Sequence, residues 1–267
     1  MKKLIKNLIP PLMLDIVRKF ISYKYGWHGD YKSWQDAQRA SVGYNSDVIL
    51  NKVRTSLLKV KNGEAVYERD SVVFDEIQYS WPLLAGLMYA TAKSQGVLHV
   101  MDFGGSLGSS YFQNKKFLDG LNDVSWSIVE QKHFVDAGKK DFEDERLKFF
   151  YDVKSCFERE KPNVVVLSSV LQYIEKPYEI LDELLSYEFE YIIFDRTPFT
   201  LDDKDTIKLQ VVLPSIYKAS YPCWFFNSHK FLKYFHSRYK VIESFDTLDG
   251  KTHEYKFKGF LLEKKND

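Results

Sequence analysis

Cysteine is scarce in this chain: Cys156 and Cys223 are the only two in 267 residues. That is too few for a disulfide framework, and the pair lacks metal-ligand spacing, so a reducing, cytoplasmic setting is expected. No His/Asp/Glu cluster has ligand spacing either, and no metal is implied. Charge of one sign is also missing, with 38 Lys and Arg against 37 Asp and Glu for a net charge of +1. No overall field therefore attracts nucleic acid. Apolar runs never approach the ~18 residues that a membrane-spanning helix requires. Residues 1–27 are basic, carrying Lys2, Lys3, Lys6, Arg18, Lys19 and Lys24 against Asp15, and Pro10-Pro11 interrupts their apolar residues. No small-residue cleavage site follows, which argues against a secretory signal. Two readings of residues 1–25 stay open: a peripheral segment on an anionic membrane, or an arm packed on the body or on a second subunit of a homodimer.

The chain is rich in aromatics, with 18 Tyr, 20 Phe and 5 Trp, and it is 45% hydrophobic. Most of these rings are expected to fill a core, and the remainder to line a cleft. Residues 1–96 read as a helical arm and cap, with turns at Gly26–Asp30 and Lys61–Gly63. The last of these helices has Ser80 before it, Pro82 in its first turn and Gly96 after it. Residues 97–267 form the second division. Short β-branched strands are predicted at 98–103, 125–130, 147–151, 163–168 and 190–195, with a helix over 177–187. Residues 201–267 are expected to add an aromatic loop at 213–226, a helix near 229–238, and strands 239–245 and 253–263. Leu248-Asp-Gly250 provides the hairpin signal between those strands. The fold class is α/β, a mostly parallel sheet with one antiparallel edge hairpin and an N-terminal helical extension.

Leu98–Tyr111 carries the strongest local signal. Apolar residues lead into Asp102, then Gly104, Gly105, Ser106 and Gly108, then Ser109-Ser-Tyr111. A buried strand ending in a tight glycine turn lets a nucleotide-like ligand approach the backbone closely. A carboxylate just before the turn would repel a pyrophosphate, which argues against a nicotinamide oxidoreductase. A Tyr-x-x-x-Lys dyad is missing too, since Tyr173 is followed by Lys176. Glu130 lies 26 residues after Gly104, somewhat beyond the usual ~20, where an acid can accept hydrogen bonds from both ribose hydroxyls. Asp195-Arg196 precedes Pro198 at a strand end, as a base or acceptor-binding pair or as an ion pair holding the loop. His229 is a second candidate base. Tyr217, Tyr221 and Trp224 are candidates for stacking on a sugar ring.

The Asp102-x-Gly-Gly-x-x-Gly108 arrangement resembles motif I of class I S-adenosylmethionine-dependent methyltransferases, which have a Rossmann-like sheet. The resemblance implies S-adenosyl-L-methionine as cofactor and S-adenosyl-L-homocysteine as product, with Asp102 on the methionine end. It also implies Asp152 and Val153 at the adenine, and Ser168, Ser169 and Gln172 at the cofactor's edge. Gln172 stands where histidine often appears, so a non-catalytic member of the fold stays open.

The segments Tyr25–Tyr31, Gly43–Asp47, Gly63–Asp70, Phe74–Pro82, Asp102–Tyr111, Ser168–Tyr173 and Asp195–Pro198 together resemble a family of bacterial proteins described as methyltransferases and encoded among surface-polysaccharide (capsule and O-antigen) genes. That likeness implies O-methylation of a sugar, or of a phosphoryl group on one. The acceptor would be a small molecule or glycan precursor, nucleotide-linked or phosphorylated, and any membrane contact would be at the inner membrane. The stretch 76–82 is expected to cover the cofactor, with Tyr79, Trp81 and Tyr173 joining the acceptor-binding residues.

Overall fold

The structure is a computed structural model that describes residues 24–43, 46–252 and 254–266. Most of the basic N-terminal segment, and His253, lie outside the described residues. In chain order the elements are β1 (Gly26–Tyr31), α1 (Trp34–Ala40), α2 (Ser46–Lys61), β2 (Tyr67–Arg69), β3 (Val72–Phe74), α3 (Trp81–Lys93), β4 (Val97–Phe103) and α4 (Ser109–Leu118). There follow β5 (Asp123–Val129), α5 (Lys132–Asp141), β6 (Leu147–Phe150), α6 (Val153–Glu160), β7 (Val164–Ser168), a single 3-10 turn (Leu171–Tyr173), α7 (Pro177–Ser186) and β8 (Tyr191–Thr200). The chain ends with β9 (Thr206–Val211), β10 (Ser220–Asn227), α8 (Ser228–Phe235), β11 (Tyr239–Lys251) and β12 (Tyr255–Lys264).

The described residues divide into two compact units, those before residue 46 with 207–223, and those of 46–206 with 224–266. The cut at 45/46 differs from the expected one at 96 because α2 is tied to the larger unit. Arg54 of α2 donates from Nε to Asp141 of α5 at 2.5 Å and from a terminal nitrogen at 3.1 Å. Val53 and Leu57 of α2 share a core with Trp126 and Phe149.

In the smaller unit, β1 runs antiparallel to β9, pairing Gly26 with Val211 and Tyr31 with Ile207. Residues 26–30 are therefore a strand and not a turn. Gly29, at φ +70, makes the register irregularity that imitates a turn signal in the sequence.

The larger unit carries the sheet β6-β5-β4-β7-β8-β12-β11, in which β4 to β8 pair in parallel and β12 runs antiparallel to both neighbours. The α/β class with an antiparallel edge hairpin is thus observed. Strand β7 shows why the sheet is layered. Val164 and Val166 enter one core with α2 to α5, while Val165 and Leu167 enter the other with α6 to α8. A strand covered on both faces must be apolar at every position, as Val-Val-Val-Leu is.

Four local expectations change. Residues 67–74 form the β2–β3 hairpin within a region read as helical. Its turn residues Asp70 and Ser71 take φ +52 and +70, the two-residue geometry whose right-handed twist matches the strands. Strand β8 continues through Pro198, because β7 stops opposite Asp195 and β10 joins only from Phe199, so Pro198 falls in a gap in that flank's ladder. Residues 220–227 are strand β10 rather than loop, with Cys223, Phe225 and Phe226 fully buried. The final hairpin reverses between Lys251 and Tyr255, beyond Gly250, and Thr252 N donates to the Tyr255 carbonyl at 2.8 Å.

Helix α5 lies flat on β6 because Gly138 has no side chain. A Cβ there would stand 2.3 Å from the ring of buried Phe149. Gly138→Ala should lower stability by about 2 kcal/mol, overpacking outweighing the gain in helix propensity. Thermal and urea unfolding check this, and an unchanged midpoint would contradict the packing.

Candidate functional site

Side chains alternate along a strand, so one face of the sheet's carboxyl edge can be read from register. Val100, Val166 and Ile193 share one core, and Asp102, Ser168 and Asp195 follow each of them by two residues on the same face. Asp102 pairs in register with Val166, Val166 with Ile193, and Ser168 with Asp195. On the other side of β4, Asp102 is in register with Ile128, and Glu130 follows two residues later. Glu130, Asp102, Ser168 and Asp195 thus stand on four adjacent strands, spanning about 14 Å at the usual strand spacing.

Asp102 is 1% exposed and accepts one hydrogen bond, from Trp126 Nε1 at 3.1 Å. Burial pushes its carboxyl up to about 7, with the Glu130 charge adding to the rise. The glycines after it answer to steric need. A Cβ on Gly105 would sit 2.5 Å from the Asp102 carboxyl carbon, and one on Gly104, at φ +71, would meet Val170 at 2.3 Å. Ser106 follows at φ +56 and Gly108 at φ +99, and α4 starts from Gly108. Glu130 accepts from the Gln131 backbone N–H at 2.6 Å. Its carboxyl is also raised by burial, against hydrogen bonds from the Gln131 and Ser106 backbones.

Asp152 is exposed and caps α6, accepting from Ser155 N at 2.7 Å. Val153 is 3% exposed and packs in the core beneath α6. Ser168 Oγ donates to Asp195 Oδ2 at 3.3 Å, and Ser169 N donates to the Asp195 carbonyl at 3.0 Å. Gln172 is fully buried, its Nε2 donating to Ser169 Oγ at 3.0 Å and to the Arg196 carbonyl at 3.2 Å. Asp195 is 2% exposed, and burial pushes its carboxyl up to about 6.

Arg196 does not pair with Asp195. Nε and one terminal nitrogen donate to Asp249 at 2.8 and 3.0 Å, and the terminal nitrogens donate to Asp70 at 2.7 and 3.4 Å. A register shift explains this: Asp195 and Arg196 oppose the single residue Gly259, and Arg196 takes φ +52. The bulge turns the guanidinium toward the β2–β3 turn and β11.

Glu68 and Asp70, both on that hairpin, and Asp249 carry no motif in the sequence that marks them. Glu68 is 2% exposed, accepts from Ser109 Oγ at the start of α4 and from Ser71 N at 2.7 Å, and burial pushes it up to about 7. The only usable signal was an acid beside a two-residue Asp-Ser turn, Tyr67-Glu-Arg-Asp-Ser71.

Other candidates fall elsewhere. Tyr79 and Trp81 stack on each other (4.7 Å) and on Phe117 (5.4 and 5.9 Å), next to last in α4 and about 12 Å along the helix from the glycine turn. They are placed at the far end of α4, so segment 76–82 does not bring them over the turn. His229 is exposed on the first turn of α8. Asn227 pairs with Thr200, five residues and about 16 Å of strand beyond Asp195, so the histidine is no partner to that carboxylate. Trp224 donates to the Glu175 carbonyl at 3.2 Å and packs on the core. Tyr173 closes the 3-10 turn after β7. Tyr217 and Tyr221 belong to the smaller unit. Among the described residues no group of three His, Cys, Asp or Glu is placed to hold a metal, and no helix is long and apolar enough to cross a membrane.

No family model matches the chain, and no curated protein matches it. Solved structures do. A S-adenosylmethionine-dependent methyltransferase from Clostridium acetobutylicum ATCC 824 is 11% identical, TM-score 0.44, over 67% of this chain and 89% of that one. The N-terminal domain of EvdMO1 with SAH bound is 11% identical, TM-score 0.47, over 84% and 98%. Magnesium protoporphyrin IX methyltransferase (ChlM) from Synechocystis PCC 6803 with bound SAM is 12% identical, TM-score 0.45, over 69% and 79%. Each is a likeness of fold at low identity.

The raised carboxyls make a signed prediction. A buried acid whose folded value exceeds its unfolded one (about 4) holds its proton more tightly when folded, so its contribution is lost as pH rises through the folded value. Asp102, Glu68 and Asp195 should therefore make the ligand-free protein less stable near pH 8 than near pH 5.5. Asp102→Asn should flatten that slope. Thermal melts across the range decide it, and a wild-type slope of the opposite sign would refute it.

Proposed function

We propose that the chain is a S-adenosylmethionine-dependent O-methyltransferase acting on a sugar, or on a phosphoryl group attached to one, in bacterial capsule or O-antigen biosynthesis. The observation that carries the cofactor is the carboxylate strip itself. Asp102, Glu130 and Glu68 surround a glycine turn with buried or half-buried acids, and the guanidinium of the region, on Arg196, is already matched by Asp70 and Asp249. Such a site disfavours a pyrophosphate and suits a ligand with net positive charge. The space that a Cβ on Gly104 or Gly105 would fill is taken by Val170 and by Asp102, so the turn can close over the carboxylate only with glycine at both positions.

Asp102 and the turn would hold the amino-acid end, Glu130 the ribose, and Asp152 the adenine edge, with Ser168, Ser169 and Gln172 beside the reacting end. When bound, the cofactor supplies a sulfonium methyl electrophile whose carbon–sulfur pair leaves on sulfur. Asp195 takes the acceptor's hydroxyl proton as that oxygen bonds to the methyl carbon. Its raised carboxyl keeps proton affinity near neutral pH, which a base needs. The surface-polysaccharide setting, a cytoplasmic location and a glycan-precursor acceptor are supported by the segment resemblance across the chain.

Calorimetric titration with S-adenosylhomocysteine should show one site per chain with micromolar affinity. Asp102→Ala should weaken it roughly 100-fold, the loss of a buried charged hydrogen-bond acceptor. Failure of wild-type protein to bind at high micromolar ligand would overturn the assignment.

A further inference from the structure

Arg196 is the residue that would ordinarily be assigned to an acceptor's phosphate or carboxylate. Four of its five N–H groups are occupied: one on Nε, two on one terminal nitrogen and one on the other. Two carboxylates share it, Asp249 in a bidentate pair and Asp70 at the tip of the β2–β3 hairpin. It holds this position through a left-handed backbone at φ +52. Five of the eight non-glycine residues with positive φ among the described residues (Asp70, Ser71, Ser106, Ser169 and Arg196) belong to this one site. Strain concentrated in this way marks geometry that the surrounding structure enforces.

What remains unmatched here is of the opposite character. Asp195 Oδ1 and Gln172 Oε1 are buried and accept no hydrogen bond. Both sit on the same small frame. Asp195 Oδ2 is held by Ser168, Gln172 Nε2 by Ser169, and Gln172 Nε2 also by the carbonyl of Arg196, next to Asp195 in sequence. The frame engages Asp195 Oδ2 as an acceptor and Gln172 Nε2 as a donor, and leaves two acceptor oxygens over. Buried acceptors without donors are costly and rare, and a ligand's donors relieve that cost.

Resting on the methyltransferase reading, we infer that the acceptor is read through adjacent hydrogen-bond donors by Asp195 and Gln172, as a vicinal diol or amino alcohol of a sugar ring, and not through an anionic group by Arg196. Arg196 is a positioning residue. It fastens the hairpin that carries Glu68 and Asp70 to strand β8 and to β11, and so sets the Arg196 carbonyl that orients Gln172. An acceptor bearing phosphate must place that phosphate away from this end of the site. A hydroxyl presented to Asp195 Oδ1 is also the one placed to lose its proton.

Saturation-transfer NMR on the full chain with S-adenosylhomocysteine present tests this, with D-glucose, D-glucosamine and inorganic phosphate as probes. Both sugars should bind at about 50 mM, and equimolar phosphate should not displace them. Asp195→Asn and Gln172→Leu should each weaken sugar binding roughly tenfold, measured at saturating S-adenosylhomocysteine. Arg196→Lys should keep the preference for sugar over phosphate, and Arg196→Met should lower the turnover rate more than it changes sugar affinity. Displacement of sugar by phosphate in wild type that disappears in Arg196→Met would overturn the inference, since it would show an anion read by the guanidinium. So would absence of any sugar signal while cofactor-product binding is intact. The competition on wild-type protein needs no variant to fold. Loss of cofactor-product binding would instead overturn the methyltransferase reading, and sugar binding that persisted without it would leave this subsite standing.

Discussion

The buried carboxylate of Asp102 is the constraint on which the rest of the site depends. It ends a central parallel strand with one hydrogen bond, from Trp126, in a place closed to water. The rise of its carboxyl from 3.8 to about 7 corresponds to a cost on the order of 4 kcal/mol for the charged form. Several features follow from holding that group there. Gly105 must lack a Cβ because the carboxylate occupies its space. Trp126, fully buried in the core, is aligned by β4–β5 register to supply the single donor. A bound ammonium or sulfonium would lower the cost, whereas a pyrophosphate would raise it.

Arg196 is the second organising group, and it acts outward from β8. Its two carboxylate partners come from a hairpin far earlier in the chain and from the edge strand far later. A partly exposed pair of this kind adds little stability by itself. Its consequence is geometric: the β2–β3 turn is fastened near the start of α4, where Glu68 already accepts from Ser109. The left-handed backbone at Arg196 is the cost of aiming the side chain across the sheet edge and not along it.

Sequence periodicity was sufficient for the central sheet because its strands are covered on both faces and therefore uniformly apolar. Val164–Ser168 and Val97–Phe103 appear within a residue of where the pattern puts them. The glycine turn was legible for the same reason that it exists, a backbone conformation that few residues tolerate. The small hairpin and the strands flanking residues 207–227 were not. Gly29 and Pro222 are turn signals locally, yet Gly29 lies in β1 and Pro222 in β10, whose strand partners are distant in sequence. Arg196 could not be placed correctly either. Its neighbour Asp195 was the obvious partner in sequence, and the bulge that separates the two is a property of β12's register.

Charge balance connects the two halves of the site. At the carboxyl edge of four adjacent strands, Asp102, Glu130 and Asp195 outnumber the one nearby guanidinium, Arg196. At the β4–β5 end the carboxylates lie beside an open backbone turn, which suits a positively charged group approaching closely. At the β7–β8 end the excess negative charge is cancelled locally by Arg196 as far as Asp70 and Asp249, leaving Asp195 Oδ1 and Gln172 Oε1 as unpartnered acceptors. A second anion brought to this end would face Asp195 with no free guanidinium to offset it, at a separation where like charges cost several kcal/mol in a poorly solvated cleft. A polyol surface carries its own donors and meets no such repulsion. The same charge balance that disfavours a pyrophosphate at the glycine turn would also favour a neutral, donor-rich face on the proposed acceptor.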